Sequence, residues 1–103
     1  MRESDIQHEI IEWLEKHDFY VVKLIQTNKN GIPDLIVLKD GCTIFIEVKS
    51  EKGKVAELQK YRHKQLLEKG FYTIIAKSLK EVTHEFIKLS EELHQQRVIS
   101  NLN

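Results

Sequence analysis

The sequence has few of several residue types, and each shortage excludes a class of protein. A single cysteine, Cys42, leaves no disulfide within the chain and no cysteine-based zinc site, and no local signature marks it as a nucleophile. One proline and four glycines are too few for a disordered or fibrous chain. No apolar run is long enough for a signal peptide or a membrane span. We therefore expect one globular domain of 103 residues in the reducing cytoplasm.

Charge of neither sign is in excess, because sixteen Lys and Arg balance sixteen Asp and Glu. Net charge therefore gives no argument for nucleic acid. The local distribution is uneven. Residues 1–18 carry two positive and six negative side chains, whereas residues 49–69 carry seven positive and three negative. A phosphate backbone would bind near the second segment.

Hydrophobic periodicity predicts an αβββαβα order, an α/β domain with a mixed β-sheet. The predicted helices cover residues 4–16 with Ser4 as N-cap, 55–69 before Gly70, and Ser78 to about 94. The predicted strands cover residues 19–25, 34–38, 43–49 and 71–76, with a hairpin turn at 39–41. The tail at 96–103 would be a short strand, a flexible tail or a dimer contact.

Three polar residues interrupt the apolar second and third strands. Alternation along a strand places Glu47 and Lys49 on one face and Val48 on the other. Asp34 begins the paired strand, so the hairpin brings its carboxylate towards that of Glu47. Each motif alone is structural in most chains. Together they are costly in an apolar strand pair unless they are used.

Two carboxylates, with the Val48 carbonyl, would bind a hard cation such as Mg²⁺ or Mn²⁺ and leave positions for a phosphate. Such an ion lowers the pKa of a bound water and stabilises charge on phosphorus. Lys49 would orient the water or neutralise the developing charge. Asp34, Glu47 and Lys49 are therefore the predicted centre of a metal-dependent hydrolytic site.

The first two predicted helices carry polar residues within their apolar arcs. In the first, Glu3 and Gln7 share the arc, which makes Glu3 a candidate third acidic contributor; alternatively the helix begins later and Glu3 is a solvated end residue. In the second, Gln59 and Arg62 share the arc. Gln59 would position water or phosphate near the metal, and Arg62 would bind phosphate or extend past the core into solvent. His63, like the other histidines, is predicted at the surface or an edge.

Several segments together resemble the virus-type replication-repair nuclease (VRR-NUC) domain of the PD-(D/E)XK superfamily, over roughly residues 3–80. They are GIPDLI at 31–36, FIEVKS at 45–50, Gly53-Lys54, and Gln59 behind them. The resemblance implies a restriction-endonuclease-like αβββαβ core with a C-terminal helix. It implies metal ligands at Asp34, Glu47 and the main chain of Val48, and a catalytic Lys49. It also implies that Glu3 is the acidic residue of the first helix, a further metal ligand in the catalytic set, that Gln59 is the catalytic helix glutamine, and that Gln7 matches a recurrent glutamine.

The resemblance also implies Mg²⁺- or Mn²⁺-dependent hydrolysis of DNA. Stand-alone members of this size resemble minimal Holliday junction resolvases, which implies a homodimer cutting branched DNA, in a host cytoplasm if a phage encodes the chain. The predicted DNA contacts are Gln7, Lys29, Lys52, Lys54, Lys60 and Arg62. Two alternatives stay open: a restriction-like or nicking endonuclease acting on duplex DNA, and a non-catalytic DNA-binding module.

Overall fold

The computed structural model describes the backbone of residues 1–102 and the side chains of residues 1–92. Within these residues, three helices and four strands follow one another in the predicted αβββαβα order. Their bounds are Glu3–Lys16 (α1), Tyr20–Lys23 (β1), Leu35–Lys39 (β2), Cys42–Val48 (β3), Glu57–Glu68 (α2), Tyr72–Ala76 (β4) and Leu79–Leu102 (α3). The predicted α/β class is confirmed.

The four strands form one mixed sheet in the order β1-β2-β3-β4. The first three strands are antiparallel neighbours, and β4 joins β3 in parallel after the α2 crossover. The β2–β3 hairpin has a two-residue turn, because Lys39 pairs with Cys42. Asp40 and Gly41 both have left-handed φ angles, 50° and 78°, as a type I′ turn requires. This turn fixes the register that sets Leu35 opposite Ile46.

The apolar core lies on one face of the sheet, where α1 and α3 pack. Ile10 and Leu14 of α1 have no exposed surface and belong to one cluster with Ile46 and Val48 of β3. The other members are Ile6, Leu35, Val37, Ile74, Ala76, Val82 and Phe86. Each large side chain buried here contributes about 1.5–3 kcal/mol to folding. Helix α2 packs against β4 from the opposite face, because its His63 contacts Thr73, which alternates with the core residue Ile74.

The helix ends are set by local hydrogen bonds. The prediction of Ser4 as N-cap is wrong: α1 begins at Glu3 with Arg2 as N-cap, and the Arg2 backbone N–H donates to the Asp5 carboxylate at 3.3 Å. The Asp5 side chain, three residues after Arg2, reaches back to the Arg2 backbone, so the N-cap lies at Arg2 and not at Ser4. The predicted end of α2 is confirmed. Gly70 has a φ of 90°, and the Phe71 N–H donates to the Leu66 carbonyl at 3.0 Å, as in a Schellman motif.

Helix α3 is capped as predicted but is longer than predicted. The Ser78 hydroxyl accepts a hydrogen bond from the Glu81 N–H at 3.2 Å. The helix then continues to Leu102, so the suggestion of a strand in the tail is wrong. The two adjacent β-branched residues of the tail, Val98 and Ile99, favour a strand only weakly. The other two predictions for residues 96–103, a flexible tail and a dimer contact, depend on side chains that lie outside the described residues. None of the helices described is long and apolar enough to cross a membrane.

Candidate active site

The start of β2 and the end of β3 lie side by side, and Asp34 joins them. Its Oδ2 accepts a hydrogen bond from the Val48 backbone N–H at 2.8 Å. Its backbone carbonyl accepts another from the Leu24 N–H, also at 2.8 Å. Asp34 is half-buried, so these bonds hold its carboxylate against the carboxyl end of β3. The hairpin thus places Asp34 beside the end of β3, as the pairing of Leu35 with Ile46 requires.

Glu47 lies on the face of β3 opposite the apolar core and is only 1% exposed. Burial raises its pKa to about 9, helped by a hydrogen bond shared with the Asp34 carboxylate and by the charges of Asp34 and Glu3. The charge of Lys49 lowers that pKa, but burial dominates. Within residues 1–92, no group donates a hydrogen bond to Glu47 Oε2. Without a cation, this carboxyl group keeps its proton at neutral pH.

Lys49 follows β3 on the same face as Glu47. Its backbone N–H donates to the Ala76 carbonyl of β4 at 2.9 Å, which extends the ladder past the strand end. Lys49 is half-buried, and its charge is close enough to Glu47 to affect the pKa of that carboxyl group. The structure therefore brings together Asp34, Glu47 and Lys49, the three residues predicted at the centre of the site.

The donor set fits one hard cation. Asp34 and Glu47 supply two adjacent carboxylates, and Glu47 Oε2 is a buried oxygen without a donor. Among residues 1–92, no group of three His, Cys, Asp or Glu is arranged to hold a metal. The two adjacent carboxylates suit Mg²⁺, which usually binds through one or two carboxylates and keeps several waters.

The two candidates from α1 lie at the edge of this site. Glu3 was predicted within the apolar arc, but it is the first residue of the helix and is exposed. The arc prediction failed because the packed part of α1 begins at Ile6, its first buried residue, so the same arc is exposed in the first turn. Its charge nonetheless raises the pKa of Glu47, which places the amino end of α1 near the carboxylate pair. Gln7, one turn later, is half-buried.

The candidates from α2 have partners within the protein. Gln59 Oε1 accepts a hydrogen bond from the Ala56 N–H at 2.9 Å and so caps the helix. Lys60 forms a 3.0 Å ion pair with Glu57 on the exposed side. Arg62 is half-buried, and its Nε donates to the Asn30 carbonyl at 2.8 Å. Arg62 thus ties α2 to the loop between β1 and β2.

That loop forms a polar groove of about 330 Å³ lined by residues 24–27, 29–32 and Asp34. Lys29 lies in its wall. The loop is held close to α2, since a Cβ on Gly31 would lie 2.7 Å from Leu58 Cγ. Lys52 and Lys54 are exposed in the turn after β3. The groove gives a polar approach to Asp34, and the two lysines add positive charge to the segment that follows Lys49.

Sequence reasoning missed His63. It was predicted at the surface but is 6% exposed, and its Nδ1 shares a hydrogen bond with the Thr73 hydroxyl. Burial lowers the pKa of His63, while the negative charge of Asp34 partly opposes this effect. The signal was present: His63 follows Gln59 by four residues and precedes Leu66 by three, which places it on the inner face of α2.

The comparison with protein families decides the identity. Residues 2–80 match the VRR-NUC domain, which is more than half of the chain. The chain belongs to the VRR-NUC family. Pro33-Asp34 and Glu47-Val48-Lys49 supply the PD and EXK parts of the superfamily pattern. The protein is therefore a nuclease domain of the PD-(D/E)XK type, with DNA as its substrate class, in a superfamily that typically uses divalent metals.

Solved VRR-NUC structures share the fold. One VRR-NUC domain is 31% identical, with a TM-score of 0.72 over 80% of this chain and 90% of its own. A second VRR-NUC domain protein is 21% identical, with a TM-score of 0.73 over 85% of this chain and 87% of its own. No curated protein matches this chain. The predicted family and its restriction-endonuclease-like fold are confirmed.

Proposed function

We propose that this VRR-NUC protein is an Mg²⁺- or Mn²⁺-dependent endodeoxyribonuclease that cuts branched DNA as a homodimer. The observation that carries the metal-dependent activity is the buried Glu47 carboxyl group beside the half-buried Asp34. Glu47 is 1% exposed, burial and the neighbouring Asp34 raise its pKa, and no described residue donates to its Oε2. A divalent cation bound by the two carboxylates would replace the proton that metal-free Glu47 keeps.

The side chains divide the work at this site. Asp34, Glu47 and the Val48 carbonyl would hold the ion, with Glu3 contributing from the edge of the site. The ion, when bound, supplies an acidified water and stabilises negative charge on the phosphoryl group. Lys49 would orient the attacking water or neutralise the charge that develops on the phosphate.

The surface around the site supports binding to a phosphate backbone. Lys29 in the groove and exposed Lys52 and Lys54 after β3 lie on the chain segments that border Asp34 and Lys49. These contacts, with Gln7, Gln59, Lys60 and Arg62, would position DNA without reading its bases.

The homodimer follows from the geometry of the proposed substrate. Resolving a branched duplex needs two cuts in strands related by a two-fold axis. One compact domain with one carboxylate pair provides one cut. An isologous dimer places two equivalent sites about a two-fold axis, so both cuts can be made in one complex.

The test compares labelled four-way junction, flap and linear duplex with Mg²⁺, Mn²⁺ or EDTA. We expect paired symmetric cuts in the junction with either metal and none in EDTA. Lys49→Ala should remove cleavage, whereas Lys88→Ala, which changes an exposed lysine of α3, should leave it unchanged. Sedimentation equilibrium of the wild-type protein should give twice the monomer mass.

Each part of the proposal has an outcome that contradicts it. Equal cleavage of all three substrates would refute the branched-DNA specificity and favour a restriction-like or nicking enzyme. Binding to DNA without cleavage in either metal would refute the enzyme and leave a DNA-binding module. A monomer that makes paired cuts would refute only the dimer.

A further inference from the structure

Two buried polar atoms without partners lie on the α2 side of the sheet. Within residues 1–92, only Glu47 Oε2 and His63 Nε2 are buried side-chain atoms of this kind. Most buried polar atoms in proteins have partners, so each exception needs an explanation. The proposed metal site accounts for the Glu47 oxygen. It gives no role to His63.

The sheet register relates the two residues. Thr73 pairs with Phe45, and Ile75 pairs with Glu47. Phe45 and Glu47 are two residues apart on β3, so Thr73 and Glu47 project from the same face on neighbouring strands, offset along the sheet by about 6–7 Å. The His63 ring is bonded to the Thr73 hydroxyl on this face. The imidazole therefore lies beside the carboxylate pair, close enough for the Asp34 charge to affect its pKa.

The surroundings of the imidazole select one tautomer. A neutral imidazole has one N–H and one acceptor nitrogen. When the Thr73 hydroxyl donates to Nδ1, Nε2 carries the hydrogen. Once a cation has displaced the proton of Glu47, the opposite tautomer would point the Nε2 lone pair at an ionised carboxylate. An N–H at that position is favoured.

We propose that His63 is a positioning residue of this nuclease: Thr73 fixes its tautomer, and its Nε2–H donates, through one water, to the oxygen of the ionised, metal-bound Glu47 that the cation does not use. The inference rests on the proposed metal-dependent function. Glu47 has to be ionised to bind a cation, and a buried carboxylate needs a donor for the oxygen that the cation does not use. Partners of this kind, behind the ligands themselves, raise metal affinity about 10–100-fold.

The test measures Mn²⁺ affinity of the full chain by calorimetry at neutral pH. His63→Leu removes the donor and should weaken binding about 10–100-fold. His63→Gln retains an N–H of similar reach and should restore most of that loss. The matched control is His84→Leu, which changes an exposed histidine of α3 and should have no effect. Thermal unfolding without metal shows whether each variant is folded.

A second measurement reads the tautomer of His63 directly. Imidazole ¹⁵N NMR of the Mg²⁺-loaded wild-type protein, in which Glu47 is ionised, should show His63 protonated at Nε2 and not at Nδ1. Thr73→Val should remove that preference, whereas Thr73→Ser should keep it. If His63→Leu does not fold, this spectrum and His63→Gln decide the question.

The outcomes separate this inference from the proposed function. Wild-type protein that neither binds Mn²⁺ nor cleaves DNA overturns both. If the wild-type protein binds Mn²⁺ and cleaves DNA, three results would overturn the role of His63 alone. The first is wild-type Mn²⁺ affinity in His63→Leu, and the second is binding by His63→Gln that is as weak as that of His63→Leu. The third is a spectrum that shows protonation at Nδ1.

Discussion

The two faces of the sheet are built on opposite principles, although the same strands form both. On the face under α1 and α3, Ile46 and Val48 have no exposed surface and join an all-apolar cluster. On the face under α2, Glu47 lies between them in sequence, and it is equally buried beside Asp34 and His63. One face stabilises the fold. The other buries polar groups at a cost to stability, as sites built for chemistry commonly do.

The largest effect is expected for removing charge from the polar face without changing its shape. Asp34→Asn keeps an oxygen that can accept the hydrogen bond from the Val48 N–H, now 2.8 Å from Asp34 Oδ2. Cleavage should nevertheless fall about 10³-fold or more, since a bound ion contributes several kcal/mol to transition-state stabilisation. Single-turnover cleavage measures this. Asp40→Asn in the exposed hairpin turn is the control, and similar losses in both variants would contradict the assignment.

A substitution on the apolar face should have the opposite signature. Ile10→Ala opens a cavity in the fully buried core and should lower the free energy of unfolding by about 2–5 kcal/mol. Cleavage well below the melting temperature should stay within a few-fold of wild type. Urea unfolding and activity are measured together, with Glu12→Ala on the exposed side of α1 as the control. A specific loss of cleavage by fully folded Ile10→Ala would show that the faces are not independent.

Neutralising the buried carboxyl should stabilise the metal-free protein. The folded pKa of Glu47, about 9, lies above its ordinary value of 4.5, so folding takes up a proton between these values and wild-type stability falls as pH rises from 4.5 to 9. Glu47→Gln lacks this loss. At pH 7 it should be more stable by up to about 3 kcal/mol, with no gain below the ordinary pKa.

Urea unfolding in EDTA across this pH range measures the gain, with exposed Glu51→Gln as the control. The same pH dependence in wild type and Glu47→Gln would show that Glu47 is ionised in the metal-free fold. Cleavage should be lost in Glu47→Gln in either case. The variant would thus separate stability from activity on the polar face.

Metal binding should depend on pH for the same reason. A cation at Glu47 displaces a proton held with a pKa of about 9, so the apparent affinity for Mn²⁺ should rise about tenfold per pH unit between neutral pH and that value. Calorimetry in buffers of different ionisation enthalpy should show close to one proton released per ion. Affinity independent of pH would place the cation away from Glu47.

The sequence was sufficient for the framework of this site but not for its surroundings. Strand alternation and a tight hairpin turn place Asp34, Glu47 and Lys49 together by local rules. Glu3 and His63 were misplaced, because exposure of a first-turn residue and burial of a helix histidine depend on which elements pack there. Periodicity shows that a face exists and not what covers it.

The smallest effect concerns the link between α2 and the groove. Arg62 Nε donates to the Asn30 carbonyl at 2.8 Å, and Nη1 donates to Gln65 at 2.9 Å. Because Arg62 is only half-buried, Arg62→Ala should cost about 1 kcal/mol, which corresponds to about fivefold faster amide exchange in residues 26–31. Exchange of core amides should not change. Lys60→Ala, which removes only the exposed pair with Glu57, should leave both regions unaffected. Unchanged exchange in the loop of Arg62→Ala would mean that packing of Gly31 against Leu58 holds the groove without the arginine.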